Sequence, residues 1–177
     1  YIREAIEGGL ASKFMFVDGT KAQDMFDAMT KVHGANYFDG MIGTAPGAPG
    51  SRAKTKFEEL YKAANDGKLP TDPFIAETFD AMMMLGLAAV AAQNTDACDS
   101  IKTCLRRIAT NDGDRDMDVE PHQITMAVNY LKKGDDINYQ GAAGSQEIDA
   151  NGDVNNTIEV WKITDGKITS TGQFLSP

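Results

Sequence analysis

The carboxylate of Asp18 is the group in this sequence with the most chemistry to offer. It follows the apolar run Phe14-Met15-Phe16-Val17 and precedes Gly19-Thr20. Such a run predicts a strand covered on both faces. In an open α/β sheet, ligands sit at the carboxyl ends of strands. An Asp at that place either caps the next helix or offers a negative oxygen to a ligand, and the local pattern favours the cap. The other titratable residues do not assemble catalytic machinery. His33 and His122 are the two histidines, and neither has a sequence neighbour that would make it a base or a ligand. Neither a glycine-rich phosphate loop nor a nucleophile elbow occurs. The expectation is a protein that is not an enzyme and carries no cofactor.

Two acidic clusters have the composition of a calcium loop without its spacing. Asp112, Asp114, Asp116, Asp118 and Glu120 alternate along one stretch, and Asp149, Asn151 and Asp153 form a second set. A calcium loop needs six to eight oxygens, a glycine at a fixed place and a late bidentate Glu. The first cluster therefore reads as a solvated acidic loop and the second as a polar turn, with no metal expected at either. Cys98 and Cys104 are six residues apart. Inside one helix they would be separated by about 9 Å along the axis and lie on different faces, too far to bridge. If Asp99 or Ser100 caps the helix, Cys98 precedes it and the chain folds back over the first turn. Both readings stand at this stage: a disulfide in an oxidising compartment, or two small buried thiols.

The elements that must position these groups are legible from periodicity. Apolar residues recur at i, i+3, i+4 and i+7 in five stretches: Ile2 to Gly9, Ala22 to Met29, Phe57 to Ala64, Ile101 to Ile108 and Ile124 to Leu131. That spacing predicts five helices, each with one buried stripe. A sixth is expected from about Pro73, with the proline in its first turn. Its apolar stretch, Phe74 to Ala92, is interrupted by Glu77 and Asp80 and diluted by Ala and Gly. It reads as a buried helix of a soluble protein rather than a membrane span. Strands are expected at Lys13–Val17, at Met41-Ile42-Gly43 and at Thr157–Ile163. The last ends on the hairpin signal Asp165-Gly166 before Lys167-Ile168-Thr169. Helix and strand alternate at the front as in an α/β fold with parallel strands, and the end of the chain is antiparallel. The run Gly43–Gly50 is the best linker candidate.

Composition narrows the function. Lys and Arg number 17 against 26 Asp and Glu, a formal charge of −9, which argues against a nucleic-acid partner or docking on anionic lipid. The 42% hydrophobic content is enough for a folded core at 177 residues. The chain opens on Tyr1-Ile2-Arg3-Glu4, which reads as the middle of a helix, so a processed or truncated chain is expected.

The order of motifs resembles the C-terminal half of a type I periplasmic substrate-binding protein of the branched-chain amino-acid ABC-transporter family. The carrying residues are Phe14-Met15-Phe16-Val17-Asp18-Gly19, Asp39-Gly40-Met41-Ile42-Gly43-Thr44-Ala45-Pro46, Phe57-Glu58-Glu59-Leu60-Tyr61 and Phe79-Asp80-Ala81. The most specific are Ile137-Asn138-Tyr139-Gln140-Gly141-Ala142-Ala143-Gly144, leading to Ile148–Val154, and Val160-Trp161-Lys162-Ile163 with Asp165-Gly166-Lys167. The resemblance implies an α/β fold of two lobes that close on a small ligand. It implies a second-lobe segment at 1–45, a helical segment returning to the first lobe at 46–135, and crossover strands with a hairpin at 136–177. The N-terminal half would be absent, leaving helix faces exposed or covered by another chain in an oligomer. It implies a periplasmic protein that binds a small amino acid in an interlobe cleft and delivers it to a membrane permease. An amide- or urea-type ligand, or a sensor role, is the alternative. By the same resemblance Asp18 pairs with the ligand ammonium, Gly19 lies beside it, Phe74 lines the pocket, and Asp149–Asp153 is a structural turn.

Overall fold

The computed structural model describes residues 1–94, 98–111 and 117–176. The acidic positions Asp112, Asp114 and Asp116 lie outside the described residues. The chain divides into two compact units, one made of Tyr1–Gly47 with Thr157–Ser176 and one of Ala48–Asn156. The division falls inside the Gly43–Gly50 run and again between Asn156 and Thr157.

The first unit is built on a three-stranded antiparallel sheet. Strand β4 (Ile158–Thr164) is central, between β1 (Ile42–Pro46) and β5 (Lys167–Leu175). β4 and β5 form a hairpin whose turn residues, Asp165 and Gly166, have φ of 51° and 71°. Two successive positive φ values match the right-handed twist of the strands they join. Helix α1 (Ile2–Glu7) and helix α2 (Gln23–His33) complete the unit. Its core is aromatic: Phe16, Phe26, Phe38 and Trp161 are buried together with Ala45 and Ile163. Phe16 stacks on Trp161 at 5.8 Å and meets Phe26 edge-on at 5.1 Å. Trp161 also lies on the backbone of Gly43, where a Cβ would sit 2.3 Å from its ring. Only a glycine admits the indole there.

The expected strand at Lys13–Val17 needs correction. It contributes one parallel bridge, Phe16 to Gly43. Phe16 is buried, but Met15 and Val17 are 68% and 57% exposed. The run alternates in and out because only one of its faces packs on the core, so apolarity on both faces does not report burial on both.

The second unit is mainly helical: α3 (Arg52–Ala64), α4 (Ile75–Asn94), α5 (Ile101–Arg107) and α6 (Ile124–Leu131). Two short strands, β2 (Met117–Val119) and β3 (Ile137–Tyr139), pair in parallel. Ser51 caps α3, its Oγ accepting from the Lys54 amide at 3.0 Å. Ser100 caps α5. The chain before α5 thus folds back over the first turn, and Cys98 and Cys104 form a disulfide with their Cα atoms 5.2 Å apart. Pro121 opens a short 3-10 turn, Pro121–Gln123, that leads into α6. Pro73, by contrast, lies in the turn before α4, which begins only at Ile75.

α4 organises this unit. Met84, Leu87, Ala88 and Ala91 enter a core shared with Cys104, Ile108, Val119, Ala127, Leu131, Ile137 and Tyr139. By length and composition Ile75–Gln93, with a mean hydropathy of 1.5, would also suffice to cross a membrane. The expectation of a buried helix holds for one face only, since Met82 and Leu85 are 67% and 49% exposed.

Candidate functional site

Asp18 lies two residues after the bridged Phe16, as the first residue of a 3-10 turn, Asp18–Thr20. The turn is closed by Thr20, whose hydroxyl donates to the Val17 carbonyl at 2.6 Å and accepts from the Val17 amide at 3.2 Å. Asp18 does not cap α2. That helix starts at Gln23 behind Ala22, with no side-chain cap. The five-residue offset leaves the Asp18 carboxylate to the turn, where Oδ1 accepts from the Gly19 amide at 2.8 Å. Gly19 is exposed, and a Cβ there would meet nothing within 4 Å. Three residues on, Lys21 Nζ is tied to Glu159 Oε2 of β4 at 2.6 Å, with both side chains largely covered. This ion pair fastens the Asp18 turn to the sheet.

Phe74 belongs to the second unit. It occupies the left-handed region at φ 67° and is 38% exposed, and its carbonyl accepts the Thr78 amide at 2.9 Å. A bulky side chain in that region costs on the order of 1–3 kcal/mol, and such outliers cluster at ligand clamps and switches.

The second unit holds a polar cleft of about 490 Å3. It is walled by the start of α3 at Ser51 and Arg52, by Asp118 and Glu120 at the end of β2, and by Gln140, Gly141, Gly144 and Ser145 after β3. Asp118 Oδ1 accepts from Asn138 Nδ2 at 2.9 Å and from Gln140 Nε2 at 3.3 Å. Arg52 and His122 each approach Glu120 Oε2 at 3.5 Å.

Beside this wall is a buried carboxylate with both oxygens bonded. Asp80, on α4, is 1% exposed. Its Oδ1 accepts from the Tyr139 hydroxyl at 2.8 Å and the Ala142 amide at 2.9 Å, and its Oδ2 from the Ala143 amide at 2.8 Å and Gln146 Nε2 at 3.2 Å. Burial pushes the Asp80 carboxyl above the ordinary range, and the bonds from Ala143, Ala142 and Tyr139 oppose it. Burial first, and then the neighbouring Asp80 charge, push the Tyr139 phenol up. Sequence reasoning missed this role for Asp80. The available signal was a carboxylate inside an apolar helical run, where an ionised group persists only if donors surround it.

At the second acidic cluster, Asp149 Oδ1 accepts three backbone amides: Asn151 at 2.8 Å, and Gly152 and Asp153 at 2.9 Å each. Those bonds, led by that from Asp153, hold the Asp149 carboxyl below its ordinary range. The carboxylate thus closes a turn between Ile148 and Val154, which bridge each other. Among the described residues no group of three or more His, Cys, Asp and Glu could hold a metal ion.

The sequence matches the family described as receptor family ligand binding region over residues 1–166, and the chain belongs to that family. Its fold is similar to that of leucine binding protein LivK from Thermotoga maritima MSB8, at 20% identity and a TM-score of 0.61. It is also similar to the branched-chain amino acid transporter substrate binding protein LivJ from Streptococcus pneumoniae, solved in complex with isoleucine, at 16% identity and a TM-score of 0.57. In each case 99% of this chain is covered, and it spans 40% of the other. No curated protein sequence matches the chain. The fold is accordingly α/β, with mixed parallel and antiparallel strands and flanking helices, of the type I periplasmic-binding-protein architecture.

Proposed function

We propose that the chain is part of an extracytoplasmic solute-binding protein that binds a small amino acid of the branched-chain type. It delivers that ligand to the membrane permease of an ABC importer. The protein is not an enzyme; binding and release are its whole task.

The Asp18 carboxylate carries this reading. It sits half-exposed in a closed turn after the Phe16 bridge and is not consumed by the helix that follows. Its hydrogen bond among the described residues engages Oδ1, which leaves Oδ2 to accept from an α-ammonium group. Gly19 keeps that approach open, because no side chain stands on it. Phe74 supplies an apolar wall for the ligand side chain. The disulfide supports an oxidising compartment such as the periplasm.

Calorimetry on the complete protein tests the reading, with L-leucine, L-isoleucine and L-valine set against analogues that lack the amino group. Asp18→Asn is expected to weaken amino-acid binding by about 1.5–3 kcal/mol, the range for a hydrogen bond that involves a charge. Unchanged affinity in that variant would remove Asp18 from the site. Equal affinity for the amine-free analogues would shift the assignment to an amide- or urea-type ligand.

A further inference from the structure

The Asp80 carboxylate faces a complete set of four donors, and all four come from the segment 139–146. Tyr139 ends β3, Ala142 and Ala143 form the middle of a tight turn, and Gln146 follows it. The turn is closed on itself by an antiparallel bridge between Gly141 and Gly144. Gly141 is required by close approach and Gly144 by its φ of 118°. A Cβ on Gly141 would lie 2.6 Å from Asp80 Oδ2 and 2.5 Å from Gln146 Nε2. A Cβ on Gly144 would lie 3.0 Å from Asn156 Oδ1 and 3.2 Å from the Ala48 Cβ.

Ala48 and Asn156 are the residues at which the chain begins and ends the second unit. One step outward, the two connections are bonded to each other. The Gly47 amide donates to the Thr157 carbonyl at 3.1 Å, and the Thr157 hydroxyl donates to the Gly47 carbonyl at 2.5 Å. These bonds extend the β1–β4 ladder, which ends at Pro46 and Ile158.

We propose that Asp80 is a positioning residue that anchors both connections between the units. It pins the Gly141–Gly144 turn to α4, and the pinned turn is the seat against which Ala48 and Asn156 rest. The donor set explains why a carboxylate stands here in an apolar helix. Two oxygens can accept four bonds, whereas an Asn would turn an NH2 toward donors.

The test is amide hydrogen exchange on the complete protein, comparing wild type with Asp80→Asn and with Tyr139→Phe. Asp80→Asn is expected to speed exchange by about tenfold or more at whichever of Ala142 and Ala143 then faces the NH2, and by less at the other, which keeps a neutral carbonyl acceptor. The same acceleration is expected at Ala48 and Asn156, with the α6 amides unchanged. Tyr139→Phe keeps the carboxylate and both amide bonds, so it should show the same pattern at smaller amplitude, and it decides the matter if Asp80→Asn does not fold. Acceleration confined to residues 141–146, with Ala48 and Asn156 unmoved, would overturn the proposal, as would no change at Ala142 and Ala143. Where the proposed amino-acid binding also holds, the dissociation rate of L-isoleucine should rise in both variants. Failure of wild type to bind L-isoleucine would sink that functional reading alone, because the exchange pattern needs no ligand.

Discussion

Carboxylates divide the labour of this protein according to what surrounds them. Asp18 stands half-exposed in a turn that leaves one oxygen for another partner. Asp80 is enclosed by donors, and Asp149 spends one oxygen on three backbone amides. Asp149 therefore makes a pH-dependent contribution with a definite sign. Its folded value lies below the ordinary 3.8 because the amides of Asp153, Asn151 and Gly152 bond the charged form. The stabilisation is present above the ordinary value and is lost as pH falls through the depressed folded value. Thermal unfolding of wild type and Asp149→Ala should differ at pH 6 and converge in strong acid. A gap that widens on acidification would contradict this role for Asp149.

At the scale of elements, stability rests on close approach and on caps. Gly43→Ala would drive a methyl to 2.3 Å from the Trp161 ring and 2.8 Å from the Phe16 Cβ. Overpacking of this kind costs about 1–3 kcal/mol, so denaturant titration should show a lower midpoint with an unchanged slope. A silent Gly43→Ala would mean that Trp161 does not lie flat on β1. The start of α5 is held twice, by Ser100 and by the disulfide. Ser100→Ala should cost about 1 kcal/mol. Reducing Cys98–Cys104 should cost about 2 kcal/mol, the small value suited to a short loop. Chemical denaturation with and without reductant measures the second number.

For the whole molecule, the relevant fact is length. The chain spans 40% of the solved proteins whose fold it shares. Where the proposed amino-acid binding holds, the 177-residue chain expressed alone should bind L-isoleucine roughly a hundredfold more weakly than the complete protein, equivalent to losing one or two charged hydrogen bonds. Equal affinity in calorimetry would show that the described residues hold a sufficient site.

Local sequence was enough to place the helices at Gln23–His33, Arg52–Ala64 and Ile124–Leu131 and the hairpin at Asp165-Gly166. An apolar stripe has the period of the backbone that buries it, and a turn needs particular φ values from particular residues. Motif order was enough for the α/β fold of the type I periplasmic-binding-protein architecture. Three matters were decided by tertiary structure alone. The Phe14–Val17 run shrank to one bridge because one of its faces found nothing to pack on. β2 and β3, three residues each, are too short to show a period, and they exist because they pair with each other. Asp80 became an anchor because Tyr139 and Gln146, 59 and 66 residues away in sequence, fold back to it with two amides between them. A carboxylate inside an apolar helix states that donors must exist, but only the folded chain determines which ones they are.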